Sequence, residues 1–286
     1  MMKDENNIIN FITNISIVIH LFHEDLLEEF IVYINNVKNV FKNVNVIFTL
    51  KENSDFDSII KEKDPTFIVL KVENKGVDIY SFLESVKYIR ENHIKTDYIL
   101  KLHTKKSNTG WRKELINPIT NPKTLMSLQH YFKFTKNIGY VASQKWVIPK
   151  NFDLFYQNNI RGVKNILEKF PHLEKNWTDF VGGTMFWINN KVLNEYLTEE
   201  LIEYFISNFS SSKPISNEET EESVPIEYLC ERILTGAFCY NKTNILVNQY
   251  KGYYREPRPN LNETFEDINF YQPGIISFNI PKNTNM

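Results

Sequence analysis

Cysteine is nearly absent: Cys230 and Cys239 are the two in 286 residues. They stand nine residues apart in one predicted helix, a little over two turns from each other, which argues against a disulfide between them and fits a reducing, cytoplasmic setting. An excess of one charge is missing too. With 33 Lys plus Arg against 35 Asp plus Glu, the formal net charge is -2, so no nucleic-acid partner is expected and any anion site must come from a local cluster. The chain has no run of about 18 apolar residues. Its first stretch, "MMKDENNIINFITNISIVIH", is polar and acidic ahead of the apolar part, so neither a membrane span nor an export signal is expected. Internal repeats are lacking, and no Pro/Gly/Ser-rich linker divides the chain before residue 208, which points to a single domain.

What is present is 42% hydrophobic and 14% aromatic residues, enough to bury a sizeable core. "ISIVIH" (15–20) is a short continuous apolar run, as in a strand buried on both faces of a parallel sheet. Strands follow at 44–50, 66–72 and 97–102, alternating with helical patterns in "HEDLLEEFIVYINNVKNV", "DFDSIIKEK" and 78–93. That alternation indicates right-handed βαβ crossovers and a nucleotide-type α/β half. Further on, Asn121 and Pro122 start a helix, strands are expected at 138–143, 181–188 and "TNILVN", and helices at 158–170, 190–207 and "IEYLCERILTGAFCY". The division expected is an N-terminal extension (1–14), a domain (15–252) with a mobile acidic loop at 208–224, and a tail (253–286) packed on the domain.

Several stretches could carry chemistry. In "ENKGVDIYSFL", Asn74 and Gly76 suit a tight turn and Asp78 the start of a helix; the turn lies at a strand's carboxyl end, where open α/β sheets take ligands. In "DYILKLHTKKSNTGWR", Lys101 and His103 share one strand face, Lys105, Lys106 and Ser107 start a loop, and Arg112 opens a helix. These groups read either as a diphosphate cradle or as a solvated basic loop. "NWTDFVGGTMFWINN" offers Asp179, the pair Gly182 and Gly183, Thr184 and Trp187, readable as an acid and aromatic beside a sugar or as a core strand with a bulge. Thr184, Phe186 and Ile188 should face one way, Met185 and Trp187 the other. Glu227 and Glu231 share a helix face, as a site or as surface pairs. Asp55 and Asp57 form the one Asp-x-Asp and read as helix caps. His20, His23 and His103 could line one sheet edge, without a fourth metal ligand.

"ENKGVDIYSFL", "DYILKLHTKKS", "GWRKEL", "FVGGTMFWI" and the late "ERI", taken in order over roughly residues 15–240, resemble the rhamnan synthesis protein F family. The resemblance implies a glycosyltransferase with a GT-A-like, Rossmann-type, mostly parallel sheet flanked by helices: a nucleotide-sugar-binding half (15–115) and an acceptor half (116–252). It implies rhamnose or a related deoxysugar carried on dTDP or UDP, and a glycan or glycolipid acceptor, with the protein at a membrane's periphery where that acceptor is lipid-linked. His20, Asn74, Gly76 and Asp78 would then meet the nucleotide, Lys101, His103, Lys105, Lys106 and Arg112 the diphosphate, and Gly182, Gly183, Thr184 and Trp187 the sugar or acceptor. Asp179 is the first choice of catalytic base and Glu231 the second. Where GT-A enzymes place a metal-binding Asp-x-Asp, Leu102-His103-Thr104-Lys105 stands, so no metal ligand and no required cofactor are expected. The same basic loop could serve a sugar-phosphate transferase, and a non-catalytic nucleotide-sugar- or glycan-binding module is the third alternative.

Overall fold

A computed structural model describes residues 13–106, 108–150, 156–209, 225–248 and 275–279. Eight strands form one mixed sheet among the described residues, in the spatial order β10 (Ile275–Asn279), β9 (Thr243–Val247), β5 (Ile138–Ser143), β8 (Phe186–Asn189), β4 (Tyr98–His103), β1 (Asn14–His20), β2 (Asn43–Lys51), β3 (Ile68–Val72). β1 (Asn14–His20) is central and fully buried, with β2 (Asn43–Lys51) on one side and β4 (Tyr98–His103) on the other, both parallel to it; β3 (Ile68–Val72) adds to β2. Its continuous apolar sequence follows from being covered on both faces. The α/β class, with a mostly parallel sheet flanked by helices, is thus the one expected.

The period-2 rule decides what each face holds. Ile15, Ile17 and Ile19 join Phe30 and Ile34 of α1 (Leu27–Lys38), Leu115 of α4 (Thr109–Thr120) and Leu128 of α5 (Pro122–Phe134). Val18 turns to the other face, with Phe82 of α3 (Val77–Glu91), Ile166 of α6 (Tyr156–Lys169), Leu193 of α7 (Asn190–Tyr196), Phe205 of α8 (Glu199–Asn208) and Leu229 of α9 (Ile226–Arg232). Helix starts follow local chemistry: Asn108 and Asn121 accept backbone N–H bonds from Trp111 and Lys123 at 2.9 and 3.0 Å. The remaining helix is α2 (Asp57–Lys63), and β5 (Ile138–Ser143), β9 (Thr243–Val247) and β10 (Ile275–Asn279) complete the sheet.

Several expectations are corrected. The strand drawn over 181–188 is two: β7 (Asp179–Val181), which leaves to pair with the unforeseen β6 (Val147–Pro149), and β8 (Phe186–Asn189), antiparallel between β4 and β5. Gly183 at φ 83° and Thr184 at φ 55° break it, since extended backbone requires negative φ. The helix over 190–207 divides at Leu197, and Thr198 caps its second part through Leu201 N at 3.2 Å. α9 continues into a π-helical turn, Ile233–Ala237. Asp55 and Asp57 do not cap α2, because Phe56 occupies the cap position and Asp57 pairs with Lys71 at 3.3 Å. Ser107, the acidic loop from residue 210 to 224, the N-terminal extension up to residue 12 and the tail, apart from the backbone of β10, lie outside the described residues. Both cysteines are buried and free.

Candidate functional site

The carboxyl ends of β1 and β4 lie side by side, with His20 opposite His103 in register. α3 begins just above them. Gly76 (φ 58°) and Val77 (φ 52°) are consecutive left-handed residues, so the chain turns sharply and delivers Asp78 in the first helical turn. Glycine is required at 76 for a second reason: a Cβ there would lie 2.7 Å from the Phe209 ring and 2.8 Å from Tyr80 Cβ. For Val77 the conformation is strained, by about 1–3 kcal/mol.

Asp78 is the hub of a buried polar cluster. Its Oδ2 accepts from Lys101 Nζ and from Thr184 Oγ1, the latter at 2.5 Å, while Lys101 Nζ also donates to the Thr184 carbonyl at 2.8 Å. Lys101 is 1% exposed. Burial alone would raise the Asp78 carboxyl, but His103, Lys101 and the donated bonds hold it well below the usual carboxylate range. Burial pulls the Lys101 ammonium below its ordinary value although Asp78 opposes the shift. His103 is likewise lowered by burial, and its Nε2 lies 3.0 Å from the Gly183 carbonyl; as a carbonyl only accepts, the proton is assigned to Nε2.

Glu231 closes the cluster from α9. Its Oε1 accepts the Gly183 N–H at 2.6 Å and its Oε2 stands 3.6 Å from Arg232 Nη1. Burial raises its carboxyl above the ordinary range against the pull of Arg232. The peptide groups of Gly183 and Thr184 are therefore bonded by Glu231, His103 and Lys101, and the Thr184 hydroxyl by Asp78, which is how a left-handed threonine is kept in place.

Other expected residues fall elsewhere. Lys101 and Arg112, expected on a diphosphate, have committed donors: Arg112 forks onto Glu29 of α1 at 3.1 and 2.7 Å and donates to the Lys105 carbonyl. They brace the site, because an ammonium or guanidinium so buried needs a full set of partners. Lys106 is exposed and paired with Asp25 at 2.7 Å, and the Lys105 ammonium rests 3.7 Å over the Trp111 ring. Asn74 is exposed on the turn after β3. Trp187 lies in the core on the opposite sheet face, its indole N–H given to the Ile119 carbonyl at 3.0 Å, out of reach of any sugar. Asp179 accepts from Tyr140 and Thr178, each at 3.2 Å, rather than from the turn, and burial raises its carboxyl. The geometry thus favours Glu231 over Asp179 as the carboxylate of the cluster. Gly182 donates to the Trp146 carbonyl at 2.9 Å, and a Cβ on Gly183 would lie 2.8 Å from Trp111 and Leu115.

Four participants escaped the sequence reading. Trp111 and Trp146 meet edge to face at 5.4 Å beside the glycine pair. Thr49 pairs with His20 at 3.0 Å. Glu29 answers Arg112 across 83 residues of chain, a separation no local spacing reveals. Asp78 is engaged by Lys101 and Thr184, and the described residues contain no group of three or more His, Cys, Asp or Glu able to hold a metal.

His20 is lowered by burial to about 4. A folded value below the unfolded one, about 6.5, stabilises above the unfolded value and is lost as pH falls through that window. Urea midpoints of the wild type are therefore expected to drop between pH 7 and 4 more steeply than those of His20→Gln. Parallel slopes would show that His20 is not the titrating group.

The family model described as rhamnan synthesis protein F matches residues 1–235 of this chain. No curated protein matches. Among solved structures, seventeen chains match, including the mannosyltransferase PcManGT from Pyrobaculum calidifontis in complex with GDP-Man and Mn2+; identity is 12% and the TM-score 0.36, over 64% of this chain and 46% of that one. This chain spans less than half the length of that mannosyltransferase.

Proposed function

We propose, from the premise that the chain belongs to the rhamnan synthesis protein F family, that it is a glycosyltransferase moving rhamnose or a related deoxysugar from a dTDP- or UDP-linked donor to a glycan or glycolipid acceptor. The observation that supports this reading best is the convergence of Asp78, Lys101, His103 and Glu231 on one strained turn at the carboxyl ends of β1 and β4. Strand ends of this kind are where open α/β sheets take ligands.

In this reading residues 15–115 hold the nucleotide sugar and 116–252 the acceptor. His20, Asn74, Gly76 and Asp78 lie on the nucleotide side. Lys105, Lys106 and the N–H groups opening α4 meet the diphosphate, with Lys106 exchanging Asp25 for a phosphate oxygen. Arg112 fixes that loop from beneath through the Lys105 carbonyl, and Lys101 fixes the neighbouring turn through the Thr184 carbonyl. The acceptor hydroxyl oxygen attacks the anomeric carbon, the bond to the phosphate oxygen breaks with its electron pair leaving on the diphosphate, and Glu231 takes the hydroxyl proton. A raised carboxyl suits a base working near neutrality. Cationic side chains stabilise the departing diphosphate, and no divalent ion is required.

The test is product analysis. Purified chain given dTDP- or UDP-rhamnose and a glycan acceptor should release nucleoside diphosphate and add one deoxyhexose to the glycan, at equal rates with and without chelator. Addition of a sugar phosphate would replace the proposal by phosphotransfer, release of no diphosphate from any donor would leave a binding module, and abolition by chelator would overturn the metal-free part.

A further inference from the structure

Helix α5 has an outward face that the transferase reading leaves unused. Thr124, Leu125, Leu128 and Phe132 form its buried side. Its outward side carries Met126 at 58% and Phe134 at 62% exposure, two of the most exposed large apolar side chains among the described residues. His130 stands between them, its ring 4.6 Å from that of Phe134. At about 100° per residue, Met126, His130 and Phe134 share an arc of roughly 140° with Lys123, Gln129 and Lys133.

Along the chain, the charge flanking this stripe is of one sign. No Asp or Glu occurs between Glu114 and Asp153, although the whole chain carries a net -2. Lys123, Lys133 and Lys136 make no ion pair among the described residues, in contrast to Lys145, which is paired with Glu114 at 2.6 Å. Two protruding apolar side chains framed by unpaired lysines are complementary to an anionic lipid surface, where the apolar tips enter below the headgroups and the ammonium groups lie among them. A second copy of the chain is a poorer occupant, since it would bring the same positive face against itself.

We infer that α5 docks this protein on an anionic membrane surface through Met126 and Phe134, with Lys123, Lys133 and Lys136 as its electrostatic contacts. The contact is peripheral, as no helix among the described residues is long and apolar enough to cross a membrane. The inference does not depend on the transferase reading and its test does not use activity.

Full-length chain is floated with vesicles of phosphatidylcholine alone and of equal parts phosphatidylcholine and phosphatidylglycerol. Binding is expected on the anionic vesicles only, decreasing as salt is raised. Met126→Ser/Phe134→Ser should weaken it about tenfold or more, as two apolar side chains no longer leave water. Lys123→Gln/Lys133→Gln/Lys136→Gln should weaken it comparably. All five positions are exposed, four on the outward surface of α5 and Lys136 just beyond its end, and unchanged melting temperatures confirm that the variants are folded. Wild type that stays off anionic vesicles, or variants that float as well as wild type, would overturn the inference. So would a wild-type dimer in sedimentation velocity that Phe134→Ser dissolves, which would assign the face to a second copy.

Discussion

Lys101→Met is expected to cost about 3–5 kcal/mol of stability, a large part of the roughly 5–15 kcal/mol that holds a domain together. The reason is what it leaves behind. Methionine fills much the same volume, but the Asp78 carboxylate stays buried with its counter-ion gone and Thr184 Oγ1 as its remaining donor in the cluster. The Thr184 carbonyl loses its partner at the same time. Removing both charges, in Asp78→Asn/Lys101→Met, should recover most of the loss, because a buried pair replaced as a unit is often near neutral. Urea unfolding at pH 7 measures all three proteins. The Asp78 carboxyl is held below its ordinary value in the folded chain, so its contribution is present above the usual carboxylate range and fades as pH falls below it. The wild type and the double variant should therefore converge in acid. A Lys101→Met variant within about 1 kcal/mol of wild type would mean that water reaches the pair.

Glu231→Gln should lower kcat for sugar transfer by about 10²–10⁴-fold, the usual contribution of a general base, with donor KM nearly unchanged. Glutamine keeps an acceptor for the Gly183 N–H, so the turn should stay in place while the proton acceptor is lost. The pH profile separates a base from a brace. Because burial raises the Glu231 carboxyl, the wild-type rate should rise with pH through a value above the ordinary carboxylate range, and that limb should vanish in the variant. Asp179→Asn should change kcat far less, since Asp179 accepts from Tyr140 and Thr178 rather than from the turn. If Asp179→Asn abolishes transfer and Glu231→Gln does not, the two carboxylates exchange roles.

What could be read in the chain was what repeats locally. Apolar runs and helical spacing carry β1 to β4 and their crossovers because each depends on residues within one element. The face assignment of β8 was legible for the same reason: Phe186 and Ile188 on one side, Met185 and Trp187 on the other. The turn before it was not, since threonine rarely adopts positive φ and is held there by Asp78, which lies 106 residues away in the chain. Lys101 and Arg112 were legible as basic residues in the right place, yet their meaning depends on Asp78 and Glu29, partners that only the folded chain reveals. Trp187 misled because an aromatic beside a glycine pair gives the same local signal whether it faces a ligand or the core. The Trp111 and Trp146 pair comes from two separate segments and leaves no such signal at all.

The placement of β8 between β4 and β5 has a consequence during synthesis. The inner strands β1, β2 and β4 can pair as soon as residue 103 has emerged, but the other edge of β4 is completed by Phe186–Asn189, roughly 80 residues later. At about 5–20 residues per second, that edge waits on the order of 4–16 s with its backbone N–H and C=O groups open to any passing strand. Lys101 is exposed to the same delay, because the Thr184 carbonyl that takes one of its protons arrives in the same late segment. The nascent chain thus passes through an interval in which half of the sheet is built and its most demanding charge is only partly satisfied.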